Sequence, residues 1–239
     1  MARLQVFLAT VMVLAQAYGV PTKIRDDHFD WRDYGAITPV SDQGQLGSVV
    51  DFVIAESVES LLSIQTKTKA IYLSTQEVSD CCDDQFHQTK YRGFDCIKAI
   101  GGLCTLEDYK KGSRTCNNGS CTAVGKVTGT SYIPSGDEDN MMKVIHTTPI
   151  AAYINAGQVS FQMYTGGIYS DPNCSPSMLD HAVQIIGYGT EGGVDYWIIK
   201  NSWGSNWGQK GYMNIVRGKN MCGIATYAFY PVNTETEIN

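Results

Sequence analysis

Near residue 125 the hydrophobic pattern of this chain changes period, and that one change restricts the fold to helices in one half packed beside a sheet in the other. Ahead of it, Ser48 to Ile64 carries Val50, Val53, Ile54, Val58, Leu61 and Leu62 at the i, i+3, i+4 intervals that give a helix one buried face. A shorter helix is expected to begin at Ser74-Thr75-Gln76-Glu77, a capping box in which Ser74 and Glu77 satisfy each other's free backbone amides. Beyond Gly125 the apolar runs are short, β-branched or aromatic, and separated by glycine. They predict strands at Val127 to Tyr132, Ile150 to Ile154, Ala182 to Gly187, Tyr196 to Lys200, Tyr212 to Val216 and Tyr227 to Tyr230. One helix, at about Asp137 to Thr147, interrupts them. The expectation is an α+β chain, helical over about residues 30–124 and stranded over about 125–231.

Residues 1–19 have the form of a secretory signal: Arg3, an apolar stretch from Leu4 through Leu14, and small residues around Ala17-Tyr18-Gly19. That stretch is too short to span a bilayer and no later run replaces it, so no membrane association is expected. Secretion suits the eight cysteines, Cys81, Cys82, Cys96, Cys104, Cys116, Cys121, Cys174 and Cys222, because an even count favours disulfides in an oxidising compartment. Eight cysteines permit about 105 pairings, and spacing does not choose among them. Cys81 and Cys82 are adjacent and no CxxC pair occurs, so neither a metal site nor another cofactor is expected. A formal net charge of −6 argues against a nucleic-acid surface, which needs a basic patch. The 239 residues suffice for one sizeable domain or two small ones sharing an interface, and a monomer is expected. Asn118-Gly119-Ser120 and Asn173-Cys174-Ser175 satisfy the glycosylation pattern.

Four local motifs occur in a fixed order: Asp30-Trp31-Arg32, then Gln43-Gly44-Gln45-Leu46-Gly47-Ser48-Val49-Val50, then Asp180-His181-Ala182-Val183, then Asn201-Ser202-Trp203-Gly204-Ser205-Asn206-Trp207-Gly208. His181 follows Val49 by 132 residues and Asn201 follows it by 152, close to the intervals of about 130 to 150 that separate nucleophile, base and orienter in papain-like enzymes. From about Asp30 to Pro231 the chain therefore resembles a papain-family cysteine peptidase and is most similar to the cathepsin L-like group. The resemblance implies a two-lobed fold, with a helical left lobe, a β-barrel-like right lobe and a substrate cleft between them. It also implies a Cys174–Cys222 disulfide, and a pairing of Cys81 or Cys82 with Cys116 or Cys121. The region expected to form the peptidase domain is 20–239. Only about ten residues separate Gly19 from Asp30, so the inhibitory propeptide of the family is expected to be absent.

In such an enzyme a thiolate attacks the carbonyl, a histidine handles the proton, an asparagine orients the imidazole and a glutamine helps bind the oxyanion. The resemblance puts Gln43 at the oxyanion position, His181 at the base, Asn201 at the orienter and Trp203 where the histidine is shielded. Val49, an inert branched residue, stands at the nucleophile. Ser48 does not replace it, since one helical residue is about 100° of rotation. Leu46 and Val50 replace a family cysteine and tryptophan. Asp51 replaces a small residue, where it either raises a neighbouring thiol's pKa or sits as a solvated acid favourable to the helix dipole. Gln43, in a glycine-containing turn, has the plainer alternative of bonding only to backbone, and Trp203 and Trp207 that of serving the core. Arg92, Gly93, Ala156, Gly157, Leu179, Asp180 and Ala225 are the expected groove residues.

Together these features lead to the expectation of a catalytically inactive homologue, secreted or held in the lumen of the secretory-lysosomal system, that binds peptides or cystatin-like inhibitors through the remnant cleft. The alternatives are an active or residually active endopeptidase, and a structural or storage protein on the same fold.

Overall fold

The computed structural model describes residues 27–44, 48–86, 93–109 and 115–233. The expected signal at 1–19, together with Leu46 and Arg92, lies outside the described residues. The expected first helix is present as α1 (Val49–Thr66), and α2 (Thr75–Phe86) and α3 (Asp95–Ala99) follow it on the same side of the molecule. The strands are β1 (His28–Asp30), β2 (Gly129–Ile133), β3 (Ile150–Ile154), β4 (Ile168–Tyr169), β5 (His181–Glu191), β6 (Val194–Lys200), β7 (Tyr212–Val216) and β8 (Tyr227–Val232). Two short helices, α4 (Glu138–Val144) and α5 (Val159–Gln162), lie between strands.

All eight strands share one sheet in the order β2-β8-β3-β5-β6-β7-β4, with β1 added alongside β5. Among the described residues the end strands β2 and β4 are not paired with each other, so the barrel-like lobe is an open sheet. Every pairing is antiparallel except β4 with β7. The β5–β6 hairpin turns on Gly192 and Gly193, whose φ of 58° and 79° fit the two-residue turns that match strand twist. Gly187, at the irregularity in β5, lets β1 approach: a Cβ there would lie 2.1 Å from the Phe29 carbonyl oxygen.

Two apolar clusters fill the molecule. One lies under the sheet and includes Ile133, Ile150, Val183, Trp197 and Ile215; the other gathers Val53, Val58, Leu73, Phe94 and Leu103 around α1. Chain segments cross between them. Phe29, Trp31 and Ile37, grouped from sequence with or beside the helical half, pack under the sheet, and Trp31 Nε1 donates to the Ile145 carbonyl at 2.8 Å. Phe229 and Ala182, from strands, pack against the helices.

Four disulfides use all eight cysteines: Cys81–Cys116, Cys82–Cys96, Cys104–Cys121 and Cys174–Cys222. Cys81–Cys116 is one of the pairings left open by the resemblance, whereas Cys82 bonds to Cys96 and Cys121 to Cys104, outside those options. Glu77, Cys104 and Cys121 place ligand atoms within 4.8 Å of one another, but both sulfurs are spent in the disulfide and offer no thiolate to a metal. The capping box forms by half. Ser74 Oγ accepts from the Glu77 amide at 3.0 Å, but the Glu77 carboxylate accepts from the Cys104 amide at 2.8 Å instead of returning to Ser74. Tertiary contact with the Cys104 segment outcompetes the local cap.

Helix α1 differs most from its expected single apolar face. Asp51, Glu56, Ser57, Glu59, Ser60 and Ser63 are buried along with its apolar residues. The serines cover their own polarity: Ser57 Oγ donates to the Val53 carbonyl and Ser60 Oγ to the Glu56 carbonyl. Gln184 of β5 donates from Nε2 to both the Glu56 carbonyl and Ser60 Oγ. The acids are answered by Lys200 of β6, only 1% exposed, whose Nζ lies 2.9 Å from Glu56 Oε1 and donates to Thr38 Oγ1 at 3.0 Å. Thr38 in turn donates to Glu59 Oε2 at 2.6 Å, and the Leu73 amide to Glu59 Oε1 at 2.8 Å. Burial pushes both carboxyls above their ordinary value against the pull of Lys200, Glu59 to about 7.

A carboxyl with a raised folded pKa holds a proton that the unfolded chain has released. Its contribution is therefore fully present below the unfolded pKa of about 4.5 and is lost as pH rises through about 7. Urea unfolding is expected to show a higher midpoint at pH 5 than at pH 8, and Glu59→Gln to flatten that difference. A wild-type midpoint that does not change across this window contradicts the assignment. Lys200→Met, which strands two buried acids, is expected to destabilise by about 3–5 kcal/mol at pH 8.

Candidate active site

The site forms where β5 begins and β6 ends. His181, first residue of β5, and Asn201, directly after β6, are both buried, and His181 Nε2 donates to Asn201 Oδ1 at 2.8 Å. The Ser202 amide also donates to Asn201 Oδ1, at 2.8 Å. A backbone N–H faces an acceptor, so this bond fixes which end of the Asn201 amide is oxygen, and hence that Nε2 of His181 carries the proton. Nδ1 is then the ring's lone-pair nitrogen. Trp203 covers the ring at a centroid distance of 4.7 Å and is itself packed edge-on against Phe161 and Trp207. Burial holds the His181 pKa below its ordinary value, opposed in part by the Asn201 hydrogen bond and the Asp180 charge, so the imidazole is neutral at physiological pH.

Gln43 is drawn to the same place. Its amide donates to the Ser202 carbonyl at 2.9 Å and its Oε1 accepts from the Ser202 hydroxyl, while Asp42 forms a bridge with Trp203. The segment leading into α1 is thereby tied beside the His181–Asn201 pair. Val49 opens α1, half-buried against the apolar cluster around that helix. Ser48 is the N-cap, with its hydroxyl accepting from the Asp51 amide at 3.4 Å. Asp51 is 4% exposed, which overturns the reading of it as a solvated acid: the helix turns it inward.

An open cavity of about 460 Å³ adjoins His181, lined by Ala156, Gly157, Gln162, Asp180, His181 and Trp203. Of the groove residues expected from sequence, Ala156, Gly157 and Asp180 meet here. Asp180 Oδ1 accepts from the Ala156 amide at 2.7 Å. Ala225 does not belong to the groove. It is 0% exposed, in the core under the sheet, because the turn at Met221–Gly223 carries it inward before β8 starts. Leu179 is not among the residues lining this cavity; it packs against that same turn, its Cδ2 2.6 Å from where a Cβ on Gly223 would stand. Gly93 is filled over by Phe229, 2.4 Å from its notional Cβ. Gln162 and Ser202 were not anticipated as site residues. Ser202 lies inside the Asn201-Ser202-Trp203 run, but nothing in the sequence signals Gln162, which arrives on the short helix α5.

Residues 25–232 match the family described as Papain family cysteine protease. The chain belongs to the papain family of cysteine peptidases. It is 41% identical over 212 residues to Digestive cysteine proteinase 2 of Homarus americanus, which covers 85% of this chain and 65% of that protein. Against Procathepsin L of Rattus norvegicus it is 40% identical over 218 residues, 85% of this chain and 64% of that one. It thus spans about two thirds of the length of these relatives. Among solved structures, the bromelain protease of Ananas comosus in complex with the E64 inhibitor matches with a TM-score of 0.77 at 34% identity, over 86% of this chain and 98% of that one. The digestive procathepsin L2 of Tenebrio molitor larval midgut matches with a TM-score of 0.78 at 31% identity, over 92% and 72%. This papain-family member has the papain-like fold.

Removing the Asn201 amide leaves the His181 Nε2–H and the Ser202 amide buried without their acceptor. Asn201→Ala is therefore expected to destabilise by about 1–3 kcal/mol in urea unfolding, with the His181 ring nitrogens losing their fixed tautomer in nitrogen NMR. An unchanged tautomer contradicts the orienting role.

Proposed function

We propose that this papain-family chain is a secreted protein that binds peptides, or the segments that cystatin-like inhibitors insert, in its remnant cleft without hydrolysing them. The observation that carries this is Val49. The base and its orienter are in hydrogen-bonded register, yet the first residue of α1, where the family places its thiol, bears only methyl groups. A neutral imidazole with no thiol beside it has no proton to withdraw and no nucleophile to activate. Secretion is supported by the commitment of all eight cysteines to disulfides, which form and persist in oxidising compartments. Among the described residues no helix is long and apolar enough to cross a membrane.

Purified protein with its disulfides intact is expected to show no turnover of peptide substrates accepted by cathepsin L-like enzymes. Turnover that persists through purification and vanishes in His181→Ala overturns the reading. Val49→Cys is expected to become labelled by a thiol-directed covalent inhibitor but to turn over weakly, since buried Asp51 lies two residues on and a misplacement of about 1 Å costs on the order of a hundredfold. Calorimetric titration with a cystatin and with non-hydrolysable peptides is expected to give saturable heat. No heat with either at high micromolar concentration removes the binding reading.

A further inference from the structure

The cavity beside His181 has a chemical bias that a general peptide groove does not require. His181 Nε2 is committed to Asn201, so its Nδ1 is an acceptor, and burial keeps the ring uncharged. Asp180, in the same cavity, uses Oδ1 for the Ala156 amide, while among the described residues Oδ2 has only a long 3.5 Å contact with Asn155 Nδ2. Gly157 leaves the space above this oxygen open: a Cβ there would lie 2.9 Å from Asp180 Oδ2. His181, with a neutral acceptor nitrogen, and Asp180, with a carboxylate, therefore both line one cavity of about 460 Å³, together with Trp203. Among the described residues lining it, none is cationic.

Resting on the cleft-binding reading above, we infer that this cavity takes a primary ammonium group, presented as the amino terminus of a peptide or as a lysine side chain. An ammonium offers several N–H donors and one positive charge, which matches two acceptors that carry one negative charge between them. A peptide amide supplies a single neutral donor and leaves Asp180 Oδ2 without a partner from the ligand.

The test is calorimetric titration of the whole protein with three peptides of one sequence. One has a free amino terminus and no lysine, one is N-acetylated with a lysine, and one is N-acetylated with no lysine. At least one amine-bearing peptide is expected to bind about tenfold or more tightly than the fully capped one, and the arm that does so identifies the source of the ammonium. Asp180→Asn retains an acceptor for the Ala156 amide and removes the charge; it is expected to abolish the advantage of the amine-bearing peptides over the fully capped one. Gly157→Ala, checked for folding by its thermal melt, is expected to do the same by crowding Oδ2. Equal binding of all three peptides overturns the ammonium inference and leaves the cleft reading standing. Absence of binding by all three overturns both.

Discussion

The structure depends on one buried electrostatic arrangement, the single ammonium of Lys200 set between the two halves of the molecule against the carboxyls of Glu56 and Glu59. A helix that carries acids on its inner surface is tolerable only where a cation and hydrogen-bond donors meet them, because an unpaired buried charge destabilises by several kcal/mol. Lys200 on β6, Thr38 on the N-terminal segment and Leu73 ahead of α2 meet at these carboxyls. Three separate pieces of chain are therefore held against α1 by one network. One cation for two acids also means that part of the arrangement depends on protonation, which makes the packing of α1 sensitive to pH.

The same strand end serves the site. Lys200 is followed by Asn201, so the residue that anchors β6 to α1 precedes the amide that orients His181, and Ser202 after it holds both Asn201 and Gln43. Rigidity at the site is thus an extension of rigidity in the core. Burial then has two effects on His181: it fixes the ring through Asn201 and Trp203, and it removes the ring's tendency to carry charge. In a chain with a thiol at the head of α1 that neutral ring would receive a proton. In the cleft-binding reading proposed above, His181 instead serves as an acceptor among the residues that line the open cavity.

Much of this was legible along the chain. The place and length of α1, six strands close to their observed positions, and the order and spacing of Gln43, His181, Asn201 and Trp203 all follow from local pattern, because periodicity and short motifs are properties of neighbours in sequence. The places that misled depend on partners far away. Glu56 and Glu59 look like the solvated side of a helix until Lys200, more than 140 residues on, is folded against them. Glu77 looks like half of a capping box until the Cys104 amide competes for it. Ala225 follows the expected groove in sequence but is carried inward by the turn before β8, whereas Gln162 reaches the cavity with no motif of its own.

The sequence by itself determined the division into helices and strands, the membership of the family, and the order and spacing that set Val49, His181 and Asn201 at the intervals papain-like enzymes use. These are local or ordinal facts, readable without knowing which surfaces touch. Only the tertiary structure decided which cysteines join, that Asp51 turns inward, which nitrogen of His181 carries the proton, and that Asp180 and Gly157 border the same space as that ring. Each of these depends on distances between residues remote along the chain. Such distances are set by how the buried charges and the two apolar clusters are jointly satisfied, and no local pattern encodes them.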